Sequence, residues 1–471
     1  MDSIKWDKEV DALVVGSGAG GMSAALTASV EGLDVLLVEK TGHIGGSTAI
    51  SGGALWIPLN AQTDAAGHPD SFDKVWTYLQ ETVGAAASDD MKRAYLQAGP
   101  RMMDDLVERG FLQVAARTAS PDYYPDRPGA ALGGRSLDPV EFDGRKLGRH
   151  FKTLRDPLKE FTVLGGMMVN ITDVRHLLRA TRAFTSWRHA MKLVLRYYTD
   201  RLRGYHRGTR LLLGNALAAQ LFHALLSRNI PYWLDTPALG LVRGDDGAVL
   251  GVTVMRQGRQ MSIRARRGVV LATGGFPWDS ARRQQAYPHP TGDWSMSPRD
   301  NTGDGIRMAE GAGAALGQGH CSPAFWAPVS ILEQPGRAPL HYPHLVWDRA
   351  KPGLIAVNGA GRRFVNESTS YHAFVEAMYR SHADTPTVPA YLLCDQRFID
   401  TWGLGLALPG GRPRQHLIDA GYLLQAPTLQ ALAQKLGVPA DALAATVQRY
   451  NQHAAAVSYT HLRAHETRED L

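Results

Sequence analysis

Three observations predict an α/β fold. Asp11–Val15 (DALVV) is an apolar run suited to a buried parallel strand. A glycine-rich turn, Gly16-Ser-Gly18-Ala19-Gly20-Gly21, follows and opens a helical pattern from Met22 to Gly32. A second apolar run, Leu33–Val38, then closes on Glu39, 18 residues after Gly21. Strand, turn, helix and strand in this order are the unit from which parallel sheets with covered faces are built.

Each residue of the turn has a physical job. Gly16 permits the tight turn, Gly18 lets the backbone approach a pyrophosphate, and Gly21 lets the helix pack close to the sheet. Ala19 and Gly20 sit where the helix begins, and that N-terminus faces anionic phosphates. Glu39 can accept hydrogen bonds from a ribose. A lone GxGxxG is a weak signal. With a strand on each side and an acid at the end of the second, a dinucleotide site outweighs a purely structural turn.

A second glycine-rich stretch separates two classes of dinucleotide. Gly42-His-Ile-Gly45-Gly46-Ser47-Thr48-Ala-Ile-Ser51-Gly52-Gly53 puts small residues and hydroxyls in tandem, so that backbone amides can face a pyrophosphate and a planar ring. NAD enzymes do not need it. Here the chain resembles the FAD-dependent oxidoreductase family that contains fumarate reductase flavoproteins and 3-ketosteroid dehydrogenases. The marks are Glu39-Lys40, Gly45-Gly46-Ser47-Thr48 and Ser51-Gly52-Gly53. Covalently flavinylated relatives carry a His where this chain has Ser47, so the resemblance implies noncovalent FAD.

Later segments agree. Short strands are expected at 239–242, 249–255 and 261–265. Gly268–Phe276 reads as a buried strand ending in a glycine pair, and it looks like the family's second cofactor-contacting strand, with Thr273 and Gly274 at the cofactor. Asn301–Gly313 resembles the stretch that opens a helix beside the flavin, with Asp304 as a cofactor residue. The resemblance runs from Val10 to Ala456. It implies a Rossmann-like FAD-binding domain with an inserted α+β catalytic cap domain. The expected boundaries are 1–290 for the FAD domain and 291–440 for the cap, with 441–456 starting the return. The pocket is expected between the two domains.

Two segments resemble the ketosteroid Δ1-dehydrogenase branch. One is Ser120-Pro-Asp122-Tyr123-Tyr124-Pro125; the other is Gly361-Arg-Arg363-Phe364-Val-Asn366-Glu367-Ser368-Thr-Ser-Tyr371. In that branch tyrosines at these motifs line the active site, which implies Tyr123 and Tyr371 as catalytic residues. Arg363, Asn366 and Glu367 are expected to organise their loop. A single Tyr is more often a packing residue; two in matching motifs tip the balance. No Arg matches the family's fumarate-reducing motif. His320 is read as a core or pocket-wall residue.

The chemistry implied is FAD-dependent Δ1-dehydrogenation of a 3-ketosteroid or similar bulky hydrophobic ketone, with an external electron acceptor. Flavin N5 accepts a hydride, and a tyrosinate takes the neighbouring proton. The alternatives are a Δ4-type steroid dehydrogenase, a fumarate-reductase-like enoate reductase, or a catalytically inactive truncated product.

Composition sets the remaining bounds. The 471 residues carry 51 basic and 45 acidic side chains, a net +6 that suits anionic cofactors or membrane surfaces and does not call for nucleic acid. Two distant cysteines, Cys321 and Cys394, offer no metal spacing and suggest a reducing compartment, with the cytoplasm as default. The apolar stretch Leu211–Leu226 contains Asn215, Gln220 and His223 and is too short and polar to span a bilayer.

The charge concentrates in a helical insert at about 150–205: ten Lys or Arg residues lie between Arg175 and Arg210, against one acid, Asp200. A helix capped by Thr172 is expected from Asp173, with Phe184, Trp187, Met191, Leu195, Tyr198 and Leu202 at helical spacing. It is either a solvated face with its apolar stripe on the protein, or an amphipathic helix in peripheral contact with a membrane. The last segment, 457–471, reads as a non-native, adaptor-like tail. The family's C-terminal Tyr-Pro-Gly-rich loop has no match, so the native chain is expected to run on for on the order of 100 residues.

Overall fold

The computed structural model describes residues 5–456; the adaptor-like tail lies outside the described residues. The chain divides into two compact units. The first holds the chain up to Ser120, Ala131–Asp279 and Ser297–His320; the second holds Pro121–Ala130, Ser280–Met296 and the chain from Cys321. This division is not a linear cut at 290. Residues 297–320, with Asp304, belong to the first unit, and Tyr123 belongs to the second.

The first unit is built on a six-stranded mixed sheet. Its central strand β1 (Lys8–Val15) pairs in parallel with β2 (Val35–Val38), Ala12 opposite Val35 and Val15 opposite Val38. β3 (Tyr232–Trp233) extends the sheet in parallel beside β2. β4 (Ala238–Arg243) and β5 (Val249–Arg256) form an antiparallel pair on the other side, and β5 runs antiparallel to β6 (Arg259–Leu271). β6 also pairs in parallel with β1, so the order is β3-β2-β1-β6-β5-β4.

The two strands expected at 261–265 and from 268 are one continuous strand, β6. Its last part is not the buried strand the sequence suggests. Val270 is 41% exposed, because β5 pairs only with residues 259–264 and leaves 268–271 with β1 alone.

Helices cover the sheet. α1 (Ala19–Val30) buries Met22 and Leu26 in a core shared with Leu217, Leu221 and Phe222 of a later helix, while Leu13, Leu36 and Ile263 build the core on the other face of the sheet. Burial on both faces explains the unbroken apolar runs of β1 and β2.

The insert starts at α2 (Ile171–Leu178) rather than at Asp173. Asn170, not Thr172, is its cap, in a reciprocal capping box with Asp173. The chain breaks before α3 (Phe184–Leu202). α3 buries Ser186, Ala190, Leu193, Tyr197 and Asp200. Of the apolar stripe read from the sequence, Phe184, Trp187, Leu195, Tyr198 and Leu202 therefore face outward, while Met191 is half-buried and Leu177 packs beside Leu193 and Tyr197. The orientation follows from polar anchors: Asp200 accepts from Thr209 N at 2.9 Å and Arg145 Nε at 3.0 Å, and Tyr197 donates to Leu164 O at 2.8 Å.

α4 (Leu213–Ser227) is the apolar stretch judged too polar to span a membrane, and it is a core helix. Its buried amides are paired. Asn215 donates to Ala49 O and Arg155 O, and Gln220 to Val140 O. No helix among the described residues is long and apolar enough to cross a membrane. α5 (Asp304–Gly311) completes the first unit's site.

The second unit contains two antiparallel pairs, β7 (Val329–Leu332) with β8 (Leu340–Pro343) and β9 (Leu354–Val357) with β10 (Tyr391–Cys394). α6 (Tyr371–His382), α7 (Leu429–Leu436) and α8 (Ala440–Ala455) are its longer helices. Ile355, Val357 and Leu393 of β9 and β10 share one core with Ala433 and Leu443 of α7 and α8.

Candidate functional site

In the first unit a cleft opens where β1 meets α1. Gly16, Ser17, Gly18, Ala19 and Gly20 form one wall; Glu39, Lys40 and Thr41 continue it from the end of β2. Gly46, Ser47 and Thr48 face it from the second glycine-rich stretch, and Thr273, Gly274, Asp300, Asn301 and Asp304 close it. These are residues from five separate stretches of the chain.

Two glycines keep the cleft open. A Cβ on Gly20 would meet nothing within 4 Å, and one on Gly18 would approach only Thr48 Oγ1, at 3.7 Å. Any side chain there would stand in the cleft. Other glycines serve close packing. A Cβ on Gly16 would lie 2.3 Å from Ala272 O, and one on Gly21 would lie 1.9 Å from Gly16 O. Gly21, Gly45, Ser51, Gly52 and Gly53 do not line this cleft. Ser51 accepts from Gly53 N and offers its carbonyl to Gly214 N, so this turn docks the start of α4.

Glu39 is held rather than free-standing. Its Oε2 accepts from Ser17 N at 3.0 Å and Ser17 Oγ at 2.7 Å, and its Oε1 accepts from Thr41 N at 2.9 Å. Thr41 Oγ1 also approaches Oε1, at 3.1 Å, so the protein's own donors already meet the carboxylate's roughly four acceptor positions, and a ribose hydroxyl would compete with the side-chain hydroxyls for one of them. Lys40 spends its three donors within the protein, on Asp300 O, Thr302 Oγ1 and Asp304 Oδ2, the last at 2.7 Å. It ties the end of β2 to the start of α5. Burial works to raise the Asp304 carboxyl pKa, but hydrogen bonds from Lys40 and Thr302 and the charges of Lys40 and Arg307 bring it below the ordinary carboxylate value.

The sequence reading missed Arg155. It lines the cleft, reaches Asp300 Oδ2 at 3.0 Å and Thr41 Oγ1 at 3.3 Å, and its buried Nε has no hydrogen-bond partner among the described residues. An unsatisfied guanidinium N–H beside a cleft calls for an acceptor. Ser17 and Asn301 were missed as well; Asn301 Nδ2 donates to Ser47 Oγ at 2.9 Å. Arg155 lies in no glycine-rich motif, and only the fold brings it here. Open glycine faces, a helix start whose N-cap is a glycine and an unsatisfied cation together fit a dinucleotide diphosphate. The donor set therefore fits FAD; Gly18–Gly20 and Arg155 are the groups that would meet its diphosphate.

The second unit holds both predicted tyrosines. Tyr371 is the first residue of α6, and its hydroxyl is hydrogen-bonded to that of Tyr123. The rings meet edge-on with centroids 5.2 Å apart. Phe325, 76% exposed, stands 5.8 Å from the Tyr123 ring and 5.0 Å from that of His372. Tyr124 donates to Glu376 Oε2 at 3.0 Å. His372 Nδ1 accepts from Trp326 N at 3.1 Å, which leaves Nε2 facing Glu376 Oε1 at 3.4 Å. Burial lowers the His372 pKa, against the opposing pull of Glu376, and favours a neutral ring.

The loop before α6 explains how Tyr371 is placed. Glu367 is buried and accepts from Ala356 N and Arg363 Nε, each at 2.8 Å. Arg349 donates to the carbonyls of His344, Glu367 and Thr369. Burial drives the Arg349 pKa down to about 10, with Asp348 and Glu367 opposing it. Ser370 then caps α6 by accepting from Ala373 N. Asn366 Oδ1 accepts from Ser368 N. His320, expected in a core or pocket wall, is instead exposed, because the segment after α5 runs along the surface.

Comparison with known proteins gives four matches. The family described as FAD binding domain matches residues 11–469. The chain is similar to a 3-oxosteroid 1-dehydrogenase of Mycobacterium tuberculosis, at 37% identity over 95% of this chain and 79% of that protein. It is also similar to a 4-oxocyclohex-2-ene-1-carboxylate 5-dehydrogenase of Sinomonas cyclohexanicum, at 35% identity over 96% and 77%. Among solved structures, the 3-ketosteroid Δ1-dehydrogenase of Sterolibacterium denitrificans in complex with 1,4-androstadiene-3,17-dione has a TM-score of 0.82 and 37% identity, covering 95% of this chain and 80% of that one.

Proposed function

We propose that this chain, which belongs to the FAD-binding family of flavoprotein oxidoreductases, introduces a double bond next to a ring ketone, with a 3-ketosteroid as substrate and C1–C2 as the bond oxidised. The observation that carries the reading is the hydrogen-bonded pair of Tyr371 and Tyr123, set among aromatic side chains. The similarity to Δ1-dehydrogenases over most of the chain supports it.

Dehydrogenation removes a hydride from one carbon and a proton from its neighbour. FAD, when bound, supplies the two-electron acceptor for the hydride. The proton is alpha to a ketone, so a base of modest strength can take it once the developing enolate is stabilised. Tyr371, as its phenolate, takes that proton at its Oη and becomes the neutral phenol. The Tyr123 hydroxyl, bonded to that oxygen, donates to the phenolate, stabilises it and holds it in place. Phe325 and the tyrosine rings offer flat apolar surface suited to a fused-ring substrate. Each turnover would also need an external electron acceptor, which the assay replaces with an artificial dye. A cytoplasmic location is part of the reading, resting on composition and sparse cysteines.

A second reading is favoured by the Sinomonas relative. A single cyclohexenone ring has the same ketone and adjacent hydrogens as the steroid A ring. One experiment separates them. The purified holoprotein is offered 4-androstene-3,17-dione, 4-oxocyclohex-2-ene-1-carboxylate and fumarate. The steroid reading predicts a 1,4-dienone product from the first. Turnover of only the small ring would replace the steroid, and fumarate reduction alone would overturn dehydrogenation altogether.

A further inference from the structure

The α2–α3 insert carries a face that the fold does not use. On α3, Phe184 is 74% exposed, Trp187 48%, Leu195 58%, Tyr198 52% and Leu202 89%. At about 100° per residue these five fall within an arc of roughly 80°. The buried stripe, centred near Ala190, Leu193 and Tyr197, lies roughly 145° away around the helix. α3 is thus apolar on two separate faces, and only one of them packs on the protein. On α2, Val174 and Leu178 are also exposed.

Charge surrounds the outer face with one sign. Arg182, Arg188, Lys192 and Arg201 are exposed around it. Both acids of α2 and α3 are turned inward. Asp173 is buried against Arg210 and His189, and Asp200 against Arg145. The outer surface is therefore cationic with a strip of aromatic and aliphatic side chains along its middle.

We infer that this face rests on an anionic phospholipid surface, with α3 lying in the plane of the headgroups. The apolar strip would enter the acyl boundary, and the flanking Arg and Lys side chains would reach phosphates, their stems covering apolar surface. Trp and Tyr are the side chains that favour this interfacial depth. A nucleic acid would match the charge but leave five apolar side chains without a partner. A second copy of the chain would meet the apolar strip with like charges on both sides. The inference does not depend on the substrate, so it stands or falls apart from the steroid reading.

The test is co-sedimentation of the FAD-loaded full chain with phosphatidylcholine vesicles containing about a third phosphatidylglycerol, and with phosphatidylcholine alone. The expected result is pelleting with the anionic vesicles that weakens as salt rises. Leu195→Glu with Tyr198→Glu, and separately Arg188→Glu with Lys192→Glu, should each weaken it about tenfold or more while keeping the flavin absorbance. Should either pair fail to fold, Trp187→Phe decides instead: brominated acyl chains should quench the parent's fluorescence more than the variant's. Absence of pelleting, pelleting that ignores these substitutions, or equal quenching overturns the inference. So does a dimer that Leu195→Glu with Tyr198→Glu turns into monomers, because the face would then be covered by a second copy.

Discussion

The ring of Tyr371 meets the ring of Tyr123 edge-on, with planes at 71° and hydroxyls joined by a hydrogen bond. The two residues are far apart in sequence. Tyr123 comes from a loop and Tyr371 from the first turn of a capped helix, so the pair exists only because the second unit folds. A T-shaped contact fixes both ring planes, and the shared hydrogen bond fixes both oxygens. That is the pre-organisation a proton-abstracting phenolate needs.

Tyr371→Phe should lower turnover of the ketone substrate by roughly 10²–10⁴-fold, since a positioned base contributes about that much. The flavin spectrum should persist. Tyr123→Phe removes only the neighbour and should cost less. Steady-state kinetics beside a visible spectrum checks both; an unchanged rate in Tyr371→Phe would remove it from the mechanism.

Arg155→Ala should weaken FAD binding by about 10- to 100-fold, the range expected for losing a hydrogen bond from a charged donor. Arg155→Lys should recover part of the loss, as it restores charge without the planar fork. Flavin-fluorescence titration of the apoprotein measures this without any assay of activity. Equal dissociation constants for the parent and Arg155→Ala would mean that Arg155 serves only Asp300 and Thr41.

Asp304 links the cleft to pH. Its folded pKa lies below the ordinary 3.8, because the ionised form is the one bonded to Lys40 and Thr302. Its stabilisation is therefore complete above that ordinary value and is lost as pH falls through the lower, folded value. Thermal melts taken down through the carboxylate range should show a steeper acid loss in the parent than in Asp304→Asn. The variant should be less stable at neutral pH. Parallel curves would contradict this role.

Arg349→Met should destabilise the protein by about 3 kcal/mol or more. The guanidinium is buried and serves three backbone carbonyls, which the thioether would leave unpaired. Denaturant unfolding gives the number. Since two of those carbonyls, of Glu367 and Thr369, flank the segment that enters α6, turnover should fall with stability.

Much of the first unit is legible along the chain. β1, the glycine turn, α1 and β2 are consecutive, and their signals are local: an unbroken apolar run, a turn only glycine can make, and an acid at a set distance. Lys40 was legible as a motif member, yet its partners lie some 260 residues on, so its role as a tie to Asp304 was not. Arg155 carried no signal at all, because a lone Arg between motifs looks like any surface cation.

The insert shows the same limit from the other side. Periodicity marked Phe184, Trp187, Leu195, Tyr198 and Leu202 as one stripe, and they are one. Which way the stripe faces was decided elsewhere, by Asp200 reaching Arg145 and Thr209 and by Tyr197 reaching Leu164. The sequence by itself determined the dinucleotide-binding start, because that rests on local spacing, and the family, through motifs that resemble its members and that also pointed to the two tyrosines. Only the tertiary structure decided the cation in the cleft, the meeting of Tyr123 with Tyr371 and the outward face of α3. Those depend on contacts between distant residues, and a one-dimensional pattern carries no record of which distant groups will meet.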